Sequence, residues 1–250
     1  VQLLGQELGA QSRRAQRPLR RRMQMIFQDP FASLNPRLSV GEIIGEGMSA
    51  LGFDATGQGN GAIAAVLEQV GLAPEAPGAI RTSSPAGQRQ RIAIARALAV
   101  QPDLVICDEP TSALDVSVQA QILNLLATLQ ADLGLAYLFI THNFAVVDHL
   151  AHEVAVMYLG RIVERGRSMR SCVRRSTPTP APCCRPCRAR VWMRSRSSFT
   201  CRVRCRRRPR PPTGCHFHPR CRQASAVCRE RYPETTAVST THAVNCHLYR

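Results

Sequence analysis

Three short apolar runs set the limits on what this chain can fold into. Residues 23–27 stop at Gln28-Asp29-Pro30, residues 104–107 stop at Asp108-Glu109-Pro110, and residues 136–140 stop at Thr141-His142. Each run has strand length and ends on turn signals, the pattern of a strand buried in a parallel sheet. Between them the apolar residues take helical spacing. From Val40 to about Val70 they are Ile43, Ile44, Met48, Ile63, Val66 and Leu67, interrupted by a Gly-rich stretch over 52–61. Residues 88–100 predict an amphipathic helix carrying Arg89, Arg91 and Arg96, and residues 116–129 predict another. Residues 154–158 and 161–164 flank Leu159-Gly160 as a hairpin. Strands alternating with helices over short links imply an α/β fold built on a parallel sheet.

Composition narrows the function. All 33 basic residues are Arg, and the chain contains no Lys. A phosphate-binding loop of the Walker A type needs a Lys to reach the β- and γ-phosphates, so these 250 residues hold no complete one. At 44% hydrophobic residues the chain is long and apolar enough for a real core, which excludes global disorder. No run of 18 apolar residues occurs, and the opening Val1-Gln2-Leu3-Leu4-Gly5 lacks the pattern of a signal peptide. Val1 in place of Met suits a fragment or an unusual start. The net charge of +16 is segregated: residues 1–166 are near neutral, whereas residues 167–221 hold 16 Arg and no acid. Cys107 is the sole cysteine before Cys172; the other ten follow.

The candidate chemistry sits at the strand ends. In open α/β sheets ligands bind outside the carboxyl ends of the strands. Asp108 and Glu109 close one run there and His142 closes another. An apolar strand capped by two acids is the Walker B pattern, in which the first acid positions Mg²⁺ and the second acts on an attacking water. An Asp-Glu pair alone is more often a helix cap or a solvated turn, but the longer string from Leu104 through Thr111-Ser112-Ala113-Leu114-Asp115 is far more specific.

That string resembles the Walker B and D-loop of ABC-type ATPases. Gln88-Arg89-Gln90-Arg91-Ile92-Ala93-Ile94-Ala95-Arg96-Ala97-Leu98 resembles the helix after their signature motif, Phe27-Gln28-Asp29-Pro30 their Q-loop, and Phe139-Ile140-Thr141-His142-Asn143 their switch-histidine segment. The continuation through Phe31-Ala32-Ser33-Leu34-Asn35-Pro36-Arg37 resembles the ATP-binding subunits of oligopeptide and dipeptide importers. Gly214-Cys215-His216-Phe217-His218-Pro219-Arg220-Cys221 resembles their C-terminal tail.

The resemblance implies a partial nucleotide-binding domain. Residues 1–30 would be partial ATPase core, 31–86 a helical subdomain meeting the membrane subunits, and 87–166 the rest of the core. Residues 167–210 would be a disordered or out-of-frame segment, and 211–250 an importer-type tail. The fold class is therefore α/β, with an irregular basic, Cys-rich C-terminal region. The ligands implied are ATP and Mg²⁺. Gln28 would contact Mg²⁺, Asp108 would position it through water, and Glu109 would be the catalytic carboxylate. His142 would hydrogen-bond the γ-phosphate, Asp115 would report to the facing subunit, and Gly87 and Gln88 are what remains of the signature. The partners implied are transmembrane permease subunits, a homologous ATP-binding subunit and, indirectly, a solute-binding protein. The location implied is peripheral, on the cytoplasmic face of the cell membrane.

The chain departs from the pattern at the signature. Where the family has Ser-Gly-Gly-Gln, here Ser84 is followed by Pro85-Ala86-Gly87-Gln88. Pro85 removes a hydroxyl and a backbone donor, and Ala86 adds a methyl where backbone would approach phosphate. Codons chosen for residues 81–86 and for 176–184 yield importer-like residues when both are read in one shifted phase. That suggests out-of-frame translation of about 81–86 and 167–210, and an impaired ATPase.

The Arg-rich segment invites a nucleic-acid reading. Its prolines and sparse aromatics favour an unstructured basic tract without a specific nucleic-acid partner. Cys215, Cys221, Cys228 and Cys246 are not spaced as a zinc finger. Two readings stand: four thiolates holding an iron–sulfur cluster or zinc, or four reduced cysteines in a surface tail. Two other functional readings also stand: a soluble ABC ATPase acting on nucleic acid, and a non-functional, pseudogene-like product.

Overall fold

The computed structural model describes residues 2–52, 59–73, 85–167 and 211–249. The expectations for 81–84 and 168–210 lie outside them. Contacts divide the chain into two units, 1–142 and 143–250.

The first unit opens with a two-residue-stranded hairpin, β1 (Gln2–Leu3) and β2 (Gln6–Glu7), followed by α1 (Arg13–Arg22) and β3 (Met23–Ile26). Four helices come next: α2 (Pro30–Ser33), α3 (Val40–Ala50), α4 (Gly59–Gln69) and α5 (Ala86–Leu98). Then follow β4 (Leu104–Asp108), α6 (Val116–Leu133) and β5 (Ala136–Ile140). The three expected strands pair in parallel in the order β3-β4-β5, with Met25, Ile106 and Leu138 in register. Helix starts follow local chemistry. Ser39 and Glu42 form a reciprocal capping box at α3, and the Asp115 carboxylate accepts from the backbone N–H groups of Ser117 and Val118 at α6. Gly134, at φ +63°, ends α6 in the left-handed conformation that glycine tolerates best.

One face of the sheet carries the core. Ile26, Val105 and Cys107 are buried there, with Tyr137 and Phe139 packed beside them against residues of α3, α5 and α6. The opposite face presents Met25, Ile106 and Leu138 in one row, and Leu138 is 52% and Ile140 46% exposed. Parallel sheets are normally covered on both faces. Here Met25 and Ile106 are half-buried, and exposure is concentrated on β5.

Arginine, present without lysine, has a structural use. Arg17 donates to the carbonyls of Ser49 and Ala50 at the end of α3, at 3.1 and 2.7 Å. Arg91 reaches Val70 O beyond α4, Arg96 reaches Ser33 O at the end of α2 (2.6 Å), and Arg21 reaches Val100 O beyond α5 (3.3 Å). Each guanidinium thus meets a carbonyl at or just beyond a helix C-terminus, where the helix dipole favours a cation.

The second unit contains α7 (Phe144–Leu150), β6 (Glu153–Tyr158), β7 (Arg161–Arg167), α8 (Val227–Glu230), β8 (Thr235–Ser239) and β9 (His242–Asn245). The hairpin turns at Leu159-Gly160, both at positive φ, as a two-residue connection requires. Its strand β7 pairs with β9, giving an antiparallel sheet in the order β6-β7-β9-β8. Residues 235–245 of the tail thus share one sheet with the hairpin, whereas 211–226, with Cys215 and Cys221, form bends, turns and a short 3₁₀ helix. Glu164 and His242, on adjacent strands, form a buried hydrogen bond, with His242 Nε2 2.7 Å from Glu164 Oε1.

Candidate functional site

Parallel pairing brings the expected residues together at one edge. Gln28 follows β3, Asp108 ends β4, Glu109 comes next, and His142 follows β5. The Glu109 carboxylate is the centre of the group. Gln28 Nε2 donates to Glu109 Oε2 at 2.8 Å, and His142 Nδ1 lies 2.7 Å from Glu109 Oε1. The Glu109 side chain is 23% exposed and that of His142 68%, so the carboxylate is held from two sides and the imidazole faces solvent.

The backbone explains the aim of Glu109. Its φ is +44°, a left-handed conformation that a residue with a Cβ adopts at a cost. Three bonds hold the turn there. Glu109 N–H donates to Ile140 O at 2.9 Å, and Ser112 donates to Glu109 O through both its backbone N–H (3.1 Å) and its hydroxyl (3.0 Å). Strain kept by such bonds at a strand end is a mark of functional geometry.

The other candidates lie elsewhere. Asp115 caps α6, and its carboxylate pKa is held down by hydrogen bonds from Val118 and Ser117. Gly87 sits in the first turn of α5, where an added Cβ would stand 2.7 Å from Val118 Cγ1, so its small size serves the packing of α5 on α6. Gln88 is exposed, and Pro85 precedes α5 without a side-chain cap. A cavity of about 910 Å³ opens beside β3, with Met25, Phe27, Gln28, Arg96 and Asp108 in its wall.

Sequence reasoning missed Ser112, which sits inside the recognised Asp108–Asp115 string and whose hydroxyl could bond a backbone carbonyl. The cluster reading required the four tail cysteines to be neighbours, and they line one small cavity. The iron–sulfur or zinc reading is not supported: among the described residues no group of three or more His, Cys, Asp or Glu side chains is arranged to hold a metal ion. Spacing in sequence brings the thiols into one neighbourhood without forming a ligand set.

Comparison with known proteins decides the family. The ABC transporter family model matches residues 1–112. The oligopeptide transport ATP-binding protein AppF of Bacillus subtilis is 39% identical over 92% of this chain and 71% of its own length. The chain belongs to the ATP-binding subunits of ABC transporters. This is a family of ATPases. A probable peptide ABC transporter ATP-binding protein of Sinorhizobium fredii is 45% identical over 93% of this chain; the match spans 66% of that relative's length.

Solved structures agree on the fold of this ABC subunit. CbiO1 of Clostridium perfringens, part of the ABC transporter complex cbiONQ, aligns with a TM-score of 0.58 at 25% identity, covering 69% of this chain and 67% of that one. An ATP-binding cassette captured as a post-hydrolysis dimer with ADP and Pi aligns at 0.57 and 23% identity, covering 66% and 71%, and bears on the fold alone. The family brings ATP and Mg²⁺ as ligands. The donor set fits a hard cation, since Asp108 offers a carboxylate and Gln28 an amide oxygen.

Proposed function

We propose that this chain is the ATP-binding subunit of a peptide or oligopeptide importer, coupling ATP hydrolysis to uptake through separate permease subunits. The observation that carries the catalytic part is the Glu109 carboxylate held between Gln28 and His142 at the carboxyl ends of adjacent parallel strands. The transport part rests on the names of the relatives at 39–45% identity and on the importer-like string 27–37.

Asp108 and Gln28 would hold Mg²⁺, which when bound neutralises phosphate charge. Glu109 would orient and accept a proton from the attacking water. His142, exposed beside it, would donate to the γ-phosphate, and its bond to Glu109 sets the ring's orientation. Asp115, Gly87 and Gln88 would face a second ATP-binding subunit. Gln28 lies between the site and α2, so it would report the state of the nucleotide to the permease. No helix among the described residues is long and apolar enough to cross a membrane, and the subunit would sit on the cytoplasmic face through its permeases.

These 250 residues carry no lysine and have Pro85-Ala86 in the signature. The proposal therefore includes impaired hydrolysis by this polypeptide on its own. Co-purification from membranes tests the assignment. Retention by peptide permease subunits is the expected result, and retention by nucleic acid instead overturns it.

A further inference from the structure

Glu109 and Ser112 are the two ends of a tight turn, with Pro110 and Thr111 between them. Proline suits the first central position of such a turn because its ring presets φ. Ser112 N–H closes the turn on Glu109 O at 3.1 Å, and Ser112 Oγ donates to the same oxygen at 3.0 Å. A carbonyl oxygen has two lone pairs, and Ser112 supplies a donor for each. On the other side, Glu109 N–H donates to Ile140 O at 2.9 Å. Both peptide groups that flank the Glu109 Cα are therefore held, at the left-handed φ of +44°.

The backbone sets where the side chain goes. Ile140 is two residues before His142, so the bond to Ile140 O ties the two strand ends together. The carboxylate then meets His142 Nδ1 at 2.7 Å and Gln28 Nε2 at 2.8 Å. A residue with a Cβ disfavours the left-handed region, and relaxation out of it would re-aim the Glu109 Cβ and its carboxylate. Neighbouring polar groups have other contacts: Thr111 Oγ1 accepts from Gln119 Nε2 at 3.3 Å, and Asp115 caps α6. Ser112 is exposed, so its side chain fills no core space.

We propose that Ser112 is a positioning residue, whose hydroxyl keeps Glu109 in the conformation that aims its carboxylate at His142 and Gln28. The inference deepens the ATPase reading of this site and takes its functional meaning from it. A hydrogen bond of this kind shifts a conformational equilibrium by about 2- to 10-fold.

The test reads the His142 ring and needs neither nucleotide nor permease, so it stays decisive if the transport assignment fails. The nitrogen that carries the proton in a neutral imidazole is set by its hydrogen-bond partner. Long-range proton–nitrogen correlation spectra of the nitrogen-labelled full chain, recorded above the range in which histidine titrates, give the tautomer of each ring. The His142 signals are those missing from His142→Gln. In wild type the proton is expected on Nδ1, facing Glu109; in the imidazolium Nε2 carries one too, which leaves it able to serve a phosphate. Glu109→Ala removes the acceptor and supplies the reference, the Nε2–H form that a free imidazole favours. Ser112→Ala should lower the ratio of Nδ1–H to Nε2–H by about 2- to 10-fold, and Ser112→Thr, which retains a hydroxyl, should keep the wild-type ratio. A wild-type ratio in Ser112→Ala beside a shifted one in Glu109→Ala overturns the proposal. So does an equal shift in Ser112→Thr. An Nε2–H ring already in wild type overturns it at its premise, the contact between Glu109 and His142.

Discussion

Glu109 Oε1 and His142 Nδ1 meet at 2.7 Å across the ends of two neighbouring parallel strands. The register explains the contact: Asp108 is opposite Ile140, so the residues one and two places on from that pair face each other. In the family reading this carboxylate acts on water, but only when a nucleotide's phosphates are held beside it. A polypeptide of these 250 residues, without a lysine for those phosphates, should release phosphate from ATP at the background rate, and Glu109→Gln should leave that rate unchanged. A phosphate-release assay checks both. Turnover that Glu109→Gln abolishes would show that this chain hydrolyses ATP unaided.

The packing of α5 on α6 turns on Gly87. Alanine favours helix over glycine by about 1 kcal/mol, yet its Cβ would lie 2.7 Å from Val118 Cγ1. Overpacking of this kind costs about 1–3 kcal/mol. Gly87→Ala should therefore destabilise the chain in urea, and Val118→Ala should restore most of the loss in the double variant. Additive losses would show that the two side chains do not meet.

The Asp115 cap gives a pH dependence with a defined sign. Hydrogen bonds from Val118 and Ser117 lower the carboxylate pKa in the folded state. The contribution is present above the ordinary Asp value and is lost as pH falls through the lowered folded one. The Tm difference between wild type and Asp115→Asn should shrink across that acidic window. A difference that stays constant from neutral pH to below it would mean that the cap is not made by the charged form.

Much of the first unit was legible because its signals are local. The run 136–140 becomes β5 without change, and residues 104–107 extend by Asp108 alone. The predicted helix 116–129 runs on to Leu133, because Gly134 rather than the last apolar residue sets its end. What was not legible depends on distant partners. In α1, six arginines and Pro18 hide a helix that is held by carbonyls of other helices, such as Ala50 O and Val100 O. Strands β8 and β9 lack strong alternation and take their place from pairing with β7, far earlier in the chain. In the site, Gln28, Asp108, Glu109 and His142 were readable from motif order. The positive φ of Glu109 and the Ser112 bond that holds it were not, since no spacing rule encodes them.

The exposed apolar residues at β5 and beside β3 should bind apolar probes. Phe27, Leu138 and Ile140 are each about half exposed (48, 52 and 46%). Anilinonaphthalene sulfonate should fluoresce with the native chain, and Leu138→Ser should lower that signal. The substitution should cost about 0.5 kcal/mol or less, as is usual for a surface position. Unchanged fluorescence would place the dye elsewhere.

Gln90 offers a test of the core. It is fully buried in α5, and neither its amide nitrogen nor its amide oxygen has a hydrogen-bond partner among the described residues. A buried amide left without partners costs about 1–3 kcal/mol, whereas methionine fills a similar volume with no such demand and keeps a good helix propensity. Gln90→Met should raise stability by about 1–2 kcal/mol in urea denaturation. The neighbouring Ile92 and Ile94, buried without polar groups, supply the control, since Ile→Val there should lower stability by about 1 kcal/mol. Loss of stability in Gln90→Met, comparable to those controls, would mean that the amide is bonded in solution, for example to an internal water.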